Sequence, residues 1–197
     1  KLKKAKIKYR GDFSYHWRWD KKSIRVKTKK SALFEGLRVF NLQAPKNSKQ
    51  LNNFLSLKLA KTFNLLAPRT ELVRHYLNGT DRGIYFFVEQ PSETTLRNAN
   101  LMPGDIYRGE MVGKDKYSFL GLKSGDGRWL FASASFWDKV AINNHYNPRS
   151  FAPLKKLIEL TKAHKAEQSQ AALSEIMDME AWGRFSVFET LASTKHS

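Results

Sequence analysis

Polar and apolar residues alternate at the start of the chain, where Ala5, Ile7 and Tyr9 are interleaved with Lys4, Lys6 and Lys8. A period of two is the signature of a strand with one covered face. Gly11 follows in a turn. Ile24 and Val26 then alternate with Ser23, Arg25 and Lys27 as a second strand, and Leu37, Val39 and Phe40 mark a third. The period then lengthens. Asn47 or Ser48 is placed to cap a helix over 49–64 whose stripe is Leu51, Phe54, Leu55, Leu59 and Phe63. Pro68 forbids its continuation. The segments 70–77 and 84–88 read as strands joined through Asn78-Gly79, a dipeptide suited to tight hairpin turns. Residues 91–149 have no sustained period, with short strand signals at Ile106–Tyr107 and at Trp129 to Phe131. From residue 150 the pattern is helical, with stripes at Leu154, Leu157, Ile158 and Leu160, at Leu173, Ile176 and Met177, and at Trp182, Phe185, Phe188 and Leu191. The order predicts an α+β protein of two lobes: a sheet-rich part over 1–90, then a connector and a mainly helical part over 91–197.

Composition narrows the chemistry. With 41% hydrophobic and 13% aromatic residues, the 197 residues can build a core. The absence of cysteine rules out disulfides, thiolate metal sites and a Cys nucleophile, while leaving the compartment open. No apolar run approaches the ~18 residues of a membrane helix. The net charge of +17 marks a molecule attractive to phosphates, whether of nucleotides, nucleic acids or acidic surface polymers.

A strand–turn–strand over 9–27 gathers the basic residues of interest. Arg10 and Gly11 lie at the turn; Lys22, Arg25 and Lys27 lie beside or on the second strand. Alternation sends Arg25 and Lys27 to one face and Ile24 and Val26 to the other, so Lys27 rather than Lys22 shares a side with Arg25. Such a face beneath a glycine turn suits a polyphosphate, or is a solvated cationic surface. Glu89 and Gln90 end the hairpin where a two-lobed nucleotide enzyme places its hinge, or serve as a strand end with a surface ion pair. Basic and aromatic residues over 15–27 are also compatible with single-stranded nucleic acid. His16 stands between Tyr15 and Trp17, a setting of packing. No histidine pair has metal spacing, and neither a Walker loop nor a GxSxG elbow occurs.

Three passages resemble the CotH (spore coat protein H-like) kinase family: Tyr9-Arg10-Gly11-Asp12 with His16-Trp17 and Lys21 to Lys27; the 51–63 helix with Ala67-Pro68-Arg69; and Tyr76-Leu77-Asn78-Gly79 with Gly83 to Gln90. The likeness covers about 5–90, loosens over 91–178 and resumes at the helix 179–194. Asn52 stands where relatives often carry arginine, and Asp81 and Arg82 where they are usually aromatic. The resemblance implies a distant protein-kinase-like fold, with an antiparallel sheet lobe and one packed helix. It implies transfer of the ATP γ-phosphate to Ser or Thr of a Ser-rich protein, with Mg or another divalent metal. Arg10, Gly11, Lys22, Arg25, Lys27, Glu89 and Gln90 become expected ATP-site residues. The metal-binding and catalytic carboxylates are expected after Ser197, where the family places them, and no metal ligand is assigned before it. Nucleotide binding without transfer, and a cationic module for nucleic acid or an acidic polymer, are the alternatives.

Overall fold

The structure is a computed structural model that describes residues 4–11, 19–45, 51–109, 131, 133–141, 151–162 and 166–192. The chain divides into two compact units, 1–101 and 102–197.

The first unit is a five-stranded antiparallel sheet in the order β1-β2-β3-β5-β4. Its strands are β1 (Ala5–Tyr9), β2 (Ile24–Thr28), β3 (Val39–Gln43), β4 (Thr70–Leu77) and β5 (Thr80–Glu89). Helix α1 (Leu51–Thr62) joins β3 to β4, and the short α2 (Glu93–Asn98) follows β5. The expected hairpin is present. Asn78 and Gly79 adopt φ of 52° and 80°, positive angles that allow a two-residue turn with the twist the strands require. A second tight turn, at Glu35 (φ 47°) and Gly36 (φ 80°), folds Leu37 back beside Phe34.

Alternation divides the sheet as the sequence requires. On one face Ile24, Val26, Leu37, Phe40 and Phe87 form the core, with Leu42 and Val73 packed against it. The Phe40 and Phe87 rings lie 4.9 Å apart, and Phe34 covers Phe40 at 5.1 Å. On the opposite face, Phe54 of α1 stacks on Phe86 at 6.1 Å, and Ala60 is buried. β5 is therefore covered on both sides, and Tyr85, Phe86, Phe87, Val88 and Glu89 are all buried.

Two expectations change. The predicted α1 stripe includes Leu51 and Leu55, yet these are 41% and 53% exposed, and the side turned to the sheet runs through Phe54, Leu57 and Ala60. A small alanine allows close approach to the strands where a leucine stripe would hold the helix away. β1, read as a half-covered strand, is exposed throughout, with Ile7 at 60% and Tyr9 at 63%. It is the edge strand, with one neighbour in the sheet. The helix ends before Pro68 is reached: Asn64 takes φ 57°, and Leu65 N–H reaches back to Ala60 O at 3.0 Å. The proposed caps Asn47 and Ser48, and His16 with its aromatic neighbours Tyr15 and Trp17, lie outside the described residues.

In the second unit β6 (Ile106–Gly109) pairs antiparallel with β7 (Trp137–Ala141). The strand expected at Trp129 to Phe131 lies mostly outside the described residues. Lys139 Nζ of β7 meets Asp105 Oδ2 at 2.8 Å and sits over the rings of Tyr107 and Phe151. Three helices follow, α3 (Ala152–Lys162), α4 (Ala166–Ser174) and α5 (Met179–Ala192). Leu154 and Ile158 of α3 are buried, and the rings of Trp182, Phe185 and Phe188 pack in series along α5, each tilted to the next.

His75 on β4 generates a pH prediction. Its ring meets Tyr85 edge-on at 4.7 Å, and burial first, then the charges of Arg82 and Lys21, lower its pKa from the ordinary value. The unfolded chain takes up the proton near pH ~6.5, while the folded chain resists it, so stability falls as pH drops through that value. Melting temperatures measured between pH 7.5 and 5.5 should decline, and His75→Phe should flatten the slope. An unchanged slope in that variant would assign the dependence to other groups.

Candidate functional site

The register sets out the helix-bearing face of the first unit as a row across the sheet: Lys8 on β1, Arg25 on β2, Asn41 on β3, Val88 on β5 and Thr70 on β4. Toward β4 the row is buried, through Asn41, Val88 and Thr70. Toward β1 it is exposed and cationic, and Lys6 and Lys27, also paired, lie in the next row.

Arg25 stands at the boundary. Its Nε donates to Asn41 Oδ1 at 2.9 Å, and its Nη2 donates to Gln90 Oε1 at 2.9 Å. Asn41 Nδ2 donates to the same Gln90 oxygen at 3.2 Å. Gln90 is itself anchored, its N–H donating to Val39 O at 3.3 Å. Asn41 is only 2% exposed, so this polar cluster reaches into the unit while Arg25 stays half-buried. A guanidinium gripped along two of its nitrogens loses most of its freedom. Nη1 has no hydrogen-bond partner among the described residues. The result is a cation held in a fixed plane, the arrangement that suits recognition of phosphate oxygens.

The other expected residues are distributed around this centre. Lys27 shares the Arg25 face, about 7 Å farther along β2 by strand geometry, and is exposed. Lys22 turns to the opposite face, where its Nζ lies 5.3 Å from the Tyr9 ring. There it lines a cavity of about 790 Å³ with Ile24, His75, Arg82 and Tyr85. Lys22 and Lys27 therefore do not converge. Gly11 has φ 123°, a backbone state that disfavours a side chain, and starts the turn beyond Arg10, whose N–H donates to Ser23 O at 2.9 Å. Lys21, next to Lys22, donates to Ile84 O at 2.7 Å and ties the end of this loop to β5.

Glu89 is used differently from a cleft residue. It is 2% exposed on the core side. One carboxylate oxygen accepts from Arg69 N–H at 3.0 Å, the other from Thr95 Oγ1 at 2.8 Å. Its own N–H donates to Arg69 O at 2.9 Å. Glu89 thus fastens the end of β5 to the start of β4 and to α2. That holds Gln90, the next residue, in reach of Arg25. The backbone N–H groups of both residues are occupied within the protein, so neither backbone N–H is open to a base edge.

Asn41 is the member that reasoning from the sequence did not single out. The signal was there: Asn41 and Gln43 alternate with Phe40 and Leu42, which puts Asn41 in phase with Arg25. Among the described residues no three His, Asp or Glu side chains gather as a metal ion would need, so the described site does not fit a divalent metal and no step is derived through one.

The two hinge residues should separate by stability. Glu89→Ala leaves Arg69 N–H and Thr95 Oγ1 without their acceptor in a buried place, at about 1–3 kcal/mol for an unsatisfied group. Gln90→Ala removes a half-buried acceptor that water replaces, with a smaller loss. Urea unfolding of both variants measures this; a larger loss for Gln90→Ala would contradict the anchoring role of Glu89.

Comparison with protein families finds a match over residues 7–194 to the family described as CotH kinase protein. A search of curated proteins returns no match. The match takes in the sheet, α1, the Arg25 cluster and α5, and on that extent the chain belongs to the CotH kinase family.

Proposed function

We propose that the chain serves an ATP-dependent phosphotransferase, that Arg25 holds the nucleotide phosphates, and that the γ-phosphate passes to Ser or Thr hydroxyls of a Ser-rich protein. Family membership supports a kinase-like function. The observation that carries the finer reading is the immobilised guanidinium of Arg25, bonded to Asn41 and Gln90 at the border between a cationic face and a buried one. In phosphoryl transfer the protein chiefly positions the phosphates and offsets their charge. A cation fixed before the ligand arrives loses little entropy on binding it. Arg25 is the principal contact in this reading, Lys27 a second cation on its face, and Gly11 with Arg10 the turn that leads into the same strand pair. Asn41, Gln90 and Glu89 act through Arg25 as positioning residues. Lys22, on the other face, is not part of the phosphate site.

ATP titrations by calorimetry, with magnesium, test it. Arg25→Ala should weaken binding about ten- to hundredfold, the range of a charge-assisted contact of about 1.5–3 kcal/mol. Lys27→Ala should weaken it less. Lys156→Ala on α3, a change of the same charge, should leave it within about twofold, and Lys22→Ala should resemble that control. Equal losses in all four would reduce the cluster to a general cationic surface. Transfer is tested with γ-labelled ATP and a Ser-rich acceptor protein, on protein that includes the family's metal-binding and catalytic carboxylates: labelled Ser or Thr supports it, and nucleotide binding without label contradicts it.

A further inference from the structure

Beside the Arg25 cluster, the far end of the β1–β2 pair forms a groove of about 560 Å³ lined by Lys4, Lys6, Lys27, Lys29, Lys30 and Arg38. The described lining contains neither an acid nor an aromatic ring. None of the six cations is in an ion pair among the described residues. Elsewhere the protein does neutralise its arginines: Arg69 meets Glu35 and Glu71, Arg74 meets Asp81, and Arg97 meets Glu93. Six like charges crowded without a counterion repel one another, and that cost is relieved by an anionic partner.

The groove is bordered by the outer edge of β1, which pairs with no further strand among the described residues. Arg10 N–H donates to Ser23 O, and bonded pairs recur at every second position of an antiparallel ladder. Lys8 and Lys6 therefore direct their backbone groups to β2, and Tyr9, Ile7 and Ala5 direct theirs outward from the edge. Side chains divide the same way: Lys4 and Lys6 line the groove, and the exposed Ile7 and Tyr9 line the cavity on the other side.

We infer that β1 accepts an added strand from a protein partner whose residues alternate acidic and apolar. Its backbone would pair with Ile7 and its neighbours, its carboxylates would enter the lysine groove, and its apolar residues would cover Ile7 and Tyr9. A strand matching only one of these features meets a penalty from the other. Edge lysines guard sheets against indiscriminate pairing, and here the guard becomes a selector, since a carboxylate on alternate residues turns the repulsion into attraction. Nucleic acid fits less well, because the described lining offers no ring on which a base could stack. The groove shares Lys27 with the proposed phosphate site, but strand addition is read without nucleotide, so either proposal can fail while the other stands.

The test is fluorescence anisotropy of the chain, free of nucleotide and near physiological ionic strength. The probes are a short labelled peptide of alternating Glu and Val, a block peptide of equal composition, and a single-stranded oligonucleotide of equal charge. The alternating peptide should bind most tightly. Lys6→Glu with Lys29→Glu should weaken it roughly tenfold or more, and Lys155→Glu with Lys156→Glu on α3 less than about twofold. Ile7→Pro removes an outward N–H while sparing the ladder to β2, and should weaken the alternating peptide with little effect on the block peptide. An unchanged melting temperature in these variants would show that the fold is intact. No binding of the alternating peptide, equal binding of the block peptide, or tighter binding of the oligonucleotide would overturn the proposal.

Discussion

Five consecutive side chains of β5, Tyr85 to Glu89, are withdrawn from water, and a strand buried on both faces has to be covered twice. The Phe40–Phe87 core covers one side and α1, through Phe54 on Phe86, the other. That double cover fixes where β5 ends. The buried carboxylate of Glu89 locks the end in place by accepting from Arg69 N–H and Thr95 Oγ1. Gln90 is then delivered to the far side of the sheet, where it meets Arg25. The cluster proposed to hold phosphate is thus a consequence of core packing.

Charge is arranged on this frame in two ways. Arginines near acids are paired and fasten local structure: Arg69 bridges Glu35 and Glu71 and lies 5.5 Å from the Phe87 ring. The hydrogen bond from Arg69 is also the main reason that the Glu71 carboxyl titrates below its ordinary range. The cations of β1 and β2 have no such partners among the described residues, and they accumulate on the face that also carries Arg25. A net charge of +17 would tell little by itself. Its segregation into paired and unpaired groups is what connects it to function, since solvated pairs contribute little energy while an uncompensated cluster seeks a ligand.

Much of this was legible beforehand, for physical reasons. The period-2 alternation of Ile24 to Lys27 placed Arg25 and Lys27 on one face because strand geometry allows no other outcome, and Asn78-Gly79 dictated the hairpin through its backbone angles. Three kinds of information were hidden. Strand order decides whether an alternating segment is interior or edge, so β1 looked like a half-covered strand. The rotation of α1 depends on which residue permits close approach, and Ala60 outranked Leu51 and Leu55. Glu89 carries no local mark of burial: its partners Arg69 and Thr95 come from separate segments and meet it only in the folded unit. Asn41 was missed for a similar reason, although its phase relative to Phe40 and Leu42 was visible.

The central claim is that Asn41 and Arg25 act as one unit toward phosphate, and a double-mutant cycle read by ATP affinity addresses it most directly. Asn41→Ala should weaken ATP in the otherwise unchanged chain and have little further effect once Arg25 is alanine, because its contribution passes through the guanidinium. Equal losses from Asn41→Ala in both backgrounds would contradict the account, since Asn41 would then contribute to binding by a route that does not involve Arg25.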